Sequence, residues 1–425
     1  MHIWKVICVG DLHLGRMPGG LSYVGNQISV DVALTKLVDE AIEREVHAVC
    51  FSGDILDRTN AYFEAAGQFE RAVRQLRQQG IEVICVSGNH DWNTLPSLRR
   101  IFSDARLLGG PGEWGSFTLP RPDESSLQFV GYCFPADECQ TISFSSFPQV
   151  KAKASIGLLH CDVGQMNSRY GGVELSYLTG HHLSAWSLGH IHKRTLLHED
   201  GPFIFYSGSL QPLHINERGV HGAELLEISA EGKLLRHLQL PLATIYFDEC
   251  RIDLSGEALT REEVLADIRE ALFTRLESLG IDDFEYVGIR VILKTDEQSY
   301  SAVESFCRDF DYADSFIVGR STVYLESLVA ECEMDVSEPG DYERLLTETV
   351  ALLSGTEFAE GENAERGVTL VDQAQELLQE KLGQHFFQAF SDDVERKQDI
   401  RRVLVEAGVS LHARIVRSRR GSNVA

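Results

Sequence analysis

The 425-residue chain has no C-x-x-C pair and no apolar run approaching the length of a membrane span. The first absence removes the usual sequence sign of a thiolate zinc site or a redox dithiol. The nine cysteines are scattered, and Cys8, Cys50 and Cys85 lie inside strand-like runs, where cysteine acts as a small buried hydrophobe. Such usage predicts a reducing cytoplasm rather than a disulfide framework. The second absence leaves no membrane-spanning helix to expect. The opening Met1-His2-Ile3-Trp4-Lys5 lacks a charged leader followed by a long apolar stretch, so no signal peptide is expected. Basic charge is scarce too: 39 Lys+Arg stand against 64 Asp+Glu. The deficit is uneven, with 20 against 26 in residues 1–245 and 19 against 38 in residues 246–425. The acidity therefore belongs mainly to the second half; it weakens a polyanionic substrate in the first half but leaves it open.

What the chain does hold is a core-forming composition, 43% apolar, over about three typical domain lengths, so two or three domains are expected. The apolar run Ile81 to Val86 ends in Ser87-Gly88-Asn89-His90-Asp91. It reads as a buried strand presenting an amide, an imidazole and a carboxylate at its carboxyl end, where ligands sit in open α/β sheets. Two earlier runs end the same way. Trp4 to Val9 leads to Gly10-Asp11-Leu12-His13, and Ala48 to Phe51 leads to Ser52-Gly53-Asp54. Asp11 and His13, two apart, point the same way in an extended segment. Helical spacing over Val30 to Arg44 and Tyr62 to Gln78 fills the gaps. The first ninety residues thus read strand–helix–strand–helix–strand, which implies parallel strands with their ends along one rim.

Farther on, Leu127 to Phe134 is strand-like, and Pro135 to Val150 reads as loop. Ala154 to Leu159 ends at His160, and Ala185 to Leu188 ends at Gly189-His190-Ile191-His192. His181-His182 has no strand before it and reads as solvated surface. Phe203 to Tyr206, Gly222 to Ile228 and Leu234 to Leu240 read as antiparallel strands closing the domain. The polar loop between the first two carries His214 and Arg218, which either meet a substrate phosphate or pack as loop. Beyond Pro241 a small α/β module follows, without histidine up to residue 330. From Glu331 on, the pattern is helical: Tyr342 to Leu353, Val368 to Phe390 and Val394 to Ala407. The stripe Leu377, Leu378, Leu382, Phe386, Phe387 and Phe390 serves either internal packing or a partner's helices. Arg414, Arg417, Arg419 and Arg420 form a basic tail.

Asp11, His13, Asp54, Asn89, His160, His190 and His192 make seven oxygen and nitrogen donors with no thiolate. Seven are too many for one ion and suit two. A bridging carboxylate holds two ions about 3.5–4 Å apart, the spacing used for in-line phosphoryl displacement. Such ligands suit Mn²⁺ or Fe²⁺, and also Zn²⁺; Mg²⁺ is a fourth candidate. His90, next to Asn89, is the candidate proton donor to the leaving oxygen, and Asp91 the candidate group to orient it.

These residues, in the order Asp11-x-His13, Gly53-Asp54, Gly88-Asn89-His90-Asp91, His160 and Gly189-His190-x-His192, resemble the five-motif signature of calcineurin-like metallophosphoesterases. The finer resemblance is to the SbcD-type nucleases of DNA double-strand-break repair, through Asp11-Leu12-His13-Leu14-Gly15, Gly53-Asp54-Ile55-Leu56-Asp57-Arg58, Leu188 to Lys193, and the Gly208-Ser209…Asn216-Glu217…Gly219 loop. The resemblance implies a two-sheet α/β sandwich flanked by helices over residues 1–245, a small α/β capping domain over 246–330, and a helical partner-binding region over 331–425. It also implies one metal on Asp11, His13 and His192, another on Asn89, His160 and His190, with Asp54 between them and His90 near the leaving group. Implied partners are DNA, an SbcC-type coiled-coil ATPase and a second copy of the chain. The expected activity is a manganese-dependent DNA exonuclease or endonuclease; the alternative is a small-molecule phosphodiesterase or phosphatase of the same fold. A catalytically dead scaffold is disfavoured, since no ligand is missing.

Overall fold

The computed structural model describes residues 2–21, 24–57, 62–100, 103–254, 260–279, 284–296, 299–310 and 315–332. In chain order the first elements are β1 (Ile3–Val9), α1 (Val30–Glu43), β2 (Ala48–Ser52), α2 (Tyr62–Gln78), β3 (Glu82–Val86), α3 (Thr94–Ser97), β4 (Ala105–Leu107), β5 (Trp114–Pro120) and β6 (Ser126–Tyr132). Next come β7 (Cys139–Thr141), β8 (Ala154–His160), β9 (Asp162–Val163), β10 (Tyr170–Val173), α4 (Leu175–Gly180), β11 (Ala185–Gly189), β12 (Thr195–His198), β13 (Phe203–Tyr206), β14 (Gly222–Ser229) and β15 (Leu234–Pro241). The last are β16 (Ile245–Asp253), α5 (Arg261–Leu279), β17 (Tyr286–Thr295), α6 (Tyr300–Arg308), β18 (Ser315–Val318) and β19 (Ser321–Cys332). The chain is thus mixed α/β.

Two compact units divide the chain, one of Met1–Asp248, Ile281–Ile289 and Ser315–Glu326, the other of Glu249–Gly280, Arg290–Asp314 and Ser327–Ala425. The first holds two six-stranded sheets, ordered β15-β14-β1-β2-β3-β4 and β12-β13-β11-β8-β6-β5. Strands β1, β2 and β3 are parallel neighbours, as the alternating pattern predicts. Every residue of β2 and β3 is buried, which fits central parallel strands covered on both faces. One apolar core joins the two sheets to the inner stripes of α1 and α2, with Val6, Phe51, Ile84, Ile156, Leu158, Phe203 and Phe205 among its members. Alternate residues of the second sheet, Trp186, Leu188, Ile204 and Tyr206, face another apolar cluster. The two-fold period of a strand thus splits β11 and β13 between two cores.

Three expectations change. Phe203 to Tyr206 forms β13, but this strand is parallel to β11 and antiparallel to β12 in the second sheet. A four-residue apolar run carries no mark of its direction, and it is the β12–β13 hairpin that reverses it. Only β14 and β15 close the first sheet antiparallel, β14 against β1. Strand β5 was not apparent because it is a half-exposed edge strand whose apolar side chains stand singly. Within Pro135 to Val150, taken as loop, the short strand β7 pairs with β10.

A four-stranded sheet, β16-β17-β19-β18, follows. In the second unit, α5 buries Val264, Ile268, Leu272 and Leu276, four apart on one helical face, and α6 buries Val303 and Cys307. No helix among the described residues is long and apolar enough to cross a membrane. The helices expected after residue 340, the apolar stripe and the basic tail lie outside the described residues.

Candidate dimetal site

Parallel pairing carries on past the ends of β1 and β2. The N–H groups of Asp11, His13 and Leu14 donate to the carbonyls of Gly53, Asp54 and Ile55 at 3.2, 2.9 and 2.9 Å. Along this extension Asp11, His13 and Asp54 take φ of 51°, 50° and 50°, and His190 after β11 takes 96°. Left-handed backbone at a residue with a side chain costs of order 1–3 kcal/mol and gathers at functional sites. Asp11 and His13 do share a direction, as their spacing predicts, but by two left-handed kinks rather than an extended segment.

The kinks bring ligand atoms together. Donor atoms of Asp11, His13 and His192 lie within 4.8 Å of one another, and so do those of Asp11, Asp54 and His160. Asp11 belongs to both groups. Asn89 Oδ1 lies 2.9 Å from His160 Nε2, and Asp54 Oδ2 lies 3.4 Å from the same nitrogen. His190 joins neither group; its ring stands 5.3 Å from that of His160, and its Nε2 is 3.6 Å from Asp162 Oδ2. Its N–H donates to both oxygens of Asp11, at 2.9 and 3.1 Å.

The donor set fits metal ions, and the outer nitrogens of the rings show why. His13 Nδ1 meets Asp57 Oδ2 at 3.3 Å, His160 Nδ1 meets the Ser52 carbonyl at 3.2 Å, and His192 Nδ1 meets Glu217 Oε1 at 2.7 Å. Each acceptor places the ring proton on Nδ1 and aims the lone pair of Nε2 at the site, the usual arrangement behind a metal-bound imidazole. His13 Nε2 and His192 Nε2 then face each other 3.1 Å apart. Two lone pairs so close require a cation between them, a proton or a metal.

Charge follows the same logic. Burial lifts Asp11 to about 6, with Asp54 adding to the rise. Asp54 stays below the usual carboxylate range, because His160, His90 and His13 together outweigh its burial. Burial pushes His13 and His160 down to about 4, so both are neutral and able to ligate. His192 rises to about 10, because Glu217, Asp11 and Asp54 overcome the cost of burying its charge.

Two glycines owe their place to this crowding. A Cβ on Gly88 would stand 2.2 Å from Asp54 Oδ1, and one on Gly53 2.5 Å from His160 Nδ1.

His90 is half-buried beside the ligands, its ring edge-on to His13 at 4.8 Å. Its N–H donates to Asp54 Oδ1 at 2.8 Å, and its Nδ1 lies 3.5 Å from Asp57 Oδ2. Asp91 was the residue expected to orient it. Instead the buried Asp91 carboxylate accepts the N–H groups of Gly88, Ile55 and Leu56 at 2.7, 2.8 and 3.3 Å. It clamps the loop after β3 to the loop after β2. Asp57 is the carboxylate that faces His90.

Asp57, Asp162 and Glu217 were the residues the sequence reading left without a role. A signal existed for two of them. Asp162 alternates with His160 just as Asp11 does with His13, and Asp57 repeats the carboxylate of Asp54 three residues on. Glu217, 25 residues from His192, is marked only by the loop resemblance and by no spacing to its partner. Of the loop pair, His214 Nδ1 accepts the Asn216 N–H at 3.2 Å, and Arg218 is exposed. His182 is exposed as expected, while His181 packs against Phe147, ring centroids 4.2 Å apart.

Residues 5–194 match the calcineurin-like phosphoesterase family. The chain is 28% identical over 238 residues to the uncharacterized metallophosphoesterase YhaO of Bacillus subtilis, covering 52% of this chain and 57% of that protein. It is 27% identical over 318 residues to the DNA double-strand break repair protein Mre11 of Aeropyrum pernix, covering 69% of this chain and 74% of that one. A crystal structure of a dimetal phosphatase from Danio rerio aligns at 13% identity over 55% of this chain and 98% of that one, with a TM-score of 0.35. The chain spans little more than half the length of the first of these relatives. Residues 5–194, which carry the seven candidate ligands at the ends of five strands, are thus similar to the calcineurin-like phosphoesterases.

Proposed function

We propose that this protein is a two-metal phosphodiesterase acting on DNA, with manganese as its working metal. The observation that carries the chemistry is the facing pair His13 Nε2 and His192 Nε2 beside Asp11 and Asp54, a donor set that calls for cations. Asp11, His13 and His192 would hold one ion, Asn89, His160 and His190 the other, with Asp54 between. When bound, two such ions supply a nucleophile from water at neutral pH and offset charge on the phosphate. The chain's own part is to hold those ligands rigid and to deliver a proton. His90, with Nδ1 toward Asp57, has Nε2 left to protonate the leaving oxygen.

The DNA reading is supported by the similarity to DNA double-strand break repair proteins, in one case over 318 residues. On this reading residues 246–330 cap the active site, and residues 331–425 hold the coiled-coil ATPase. The protein works as a dimer in the cytoplasm. The alternative is a phosphodiesterase for small molecules, which needs neither extension.

The deciding experiment is cleavage of end-labelled linear duplex DNA by the purified chain, with Mn²⁺ and with EDTA, beside a cyclic nucleotide. Mn²⁺-dependent shortening of the DNA is expected, reduced about 10²–10⁴-fold in His90→Ala, the usual weight of one general acid. Turnover of the cyclic nucleotide with DNA left intact would overturn the DNA reading and keep the metal site.

A further inference from the structure

Arg16 stands at the edge of the candidate site and has no part in the metal chemistry. Its N–H closes a turn on the His13 carbonyl at 3.0 Å, one residue after left-handed Gly15. The side chain is only 18% exposed. Its ion-pair contact is Nε to Asp57 Oδ2 at 3.8 Å, and that oxygen already faces His13 Nδ1 and His90 Nδ1. This is not the two-pronged pairing that a guanidinium and a carboxylate make when they serve each other. No described residue gives Nη1 or Nη2 an acceptor. The open fork can therefore take two oxygens of an anion.

Its position says which anion. The two nitrogens of the His13 ring point opposite ways, Nε2 to the metal donors and Nδ1 to Asp57. Arg16 lies on the Asp57 side of that ring, away from the nitrogen aimed at the metal donors. We propose that Arg16 holds a second phosphate of the substrate, next to the one being cleaved, by two parallel N–H···O bonds. A nucleotide chain has such a phosphate and a cyclic mononucleotide does not, so Arg16 is a specificity-determining residue. This rests on the phosphodiesterase reading above.

The test uses three diesters with the same scissile bond: thymidylyl-thymidine, its 5′-phosphate and its 3′-phosphate, with the full chain and Mn²⁺. Wild type is expected to prefer one of the phosphorylated forms by about 10–100-fold in kcat/KM, mostly through KM, the weight of a charge-assisted pair. Arg16→Gln should remove most of that preference, and Arg16→Lys should keep part of it, since a point charge cannot form the fork. A preference that survives Arg16→Gln overturns the proposal. So does an equal loss on all three diesters, which would make Arg16 a support for Asp57 and His90. Wild type that cleaves thymidylyl-thymidine without preference overturns it and leaves the phosphodiesterase reading standing, whereas no cleavage of any diester overturns both.

Discussion

Asp54 is the residue on which the candidate site turns. Its Oδ1 takes the His90 N–H, and its Oδ2 lies within 4 Å of both His13 Nε2 and His160 Nε2. Replacing it with asparagine keeps the shape and removes a carboxylate that faces both rings. Asp54→Asn is expected to lose at least one of two bound metals and to lower diester turnover by a factor of about 10³ or more, since a displaced ligand disturbs both positioning and charge. Metal content of the purified variant, measured beside turnover, checks this. Two bound ions with normal turnover would refute the bridging role. The residue scale also shows where sequence reading stops. Asp11, His13, Asp54, Asn89, His160 and His192 were legible as candidate ligands because strand ends place polar groups on a rim. That Asp57 rather than Asp91 faces His90 was not, because both are acids close to a strand end and only their backbone partners tell them apart.

Among the elements, the loops after β1, β2 and β3 act as one body. Asp91 ties the third to the second, and backbone pairing ties the second to the first. Gly88→Ala would drive a Cβ into Asp54, which has nowhere to go between His13 and His160. The variant is expected to fold, since the strands themselves are untouched, but with metal affinity at least about 10-fold weaker, the range seen when outer partners of ligands are disturbed. Calorimetric titration with Mn²⁺ measures it, and wild-type affinity would show that the loop has slack.

Another element contact predicts a pH dependence. His47, just before β2, accepts the Lys5 N–H at 3.0 Å and meets Arg121 with its other nitrogen. Burial and the Arg121 charge push it down to about 4. The unfolded chain takes up this proton near 6.5 and the folded one does not until about 4. Stability contributed by neutral His47 is therefore present above 6.5 and falls as pH drops from 6.5 to 4. The difference between wild type and His47→Gln in chemical denaturation should shrink over that window and level off below it; a difference constant with pH would contradict the assignment.

For the whole molecule, the buried donor set implies that metal and fold are linked. Asp11 and Asp54 are both almost wholly buried, and a cation stabilises only the folded arrangement that collects them. Removing metal with EDTA should lower Tm, and Mn²⁺ at about 100 times its Kd should raise it again by roughly 5–10 °C, the shift of about 2.7 kcal/mol in a domain of this size. A Tm indifferent to both would mean that no metal binds the folded chain tightly. The acidity does not oppose this. It belongs mostly to residues 246–425, whereas all seven candidate ligands lie before residue 195.

The amino-acid sequence by itself determined the parallel core of β1, β2 and β3, the helices between them, and the ends of β8 and β11 as candidate ligand positions. Local patterning suffices there, because a buried parallel strand is an unbroken apolar run and the polar group that ends it has one rim to occupy. Tertiary structure alone decided the direction of β13, the left-handed turns at Asp11, His13, Asp54 and His190, and the carboxylates behind the imidazoles. These depend on residues far apart in the chain, His192 with Glu217, and His13 and Arg16 with Asp57. Nothing near each residue encodes them. They exist only once the two sheets have packed and the strand ends share one space.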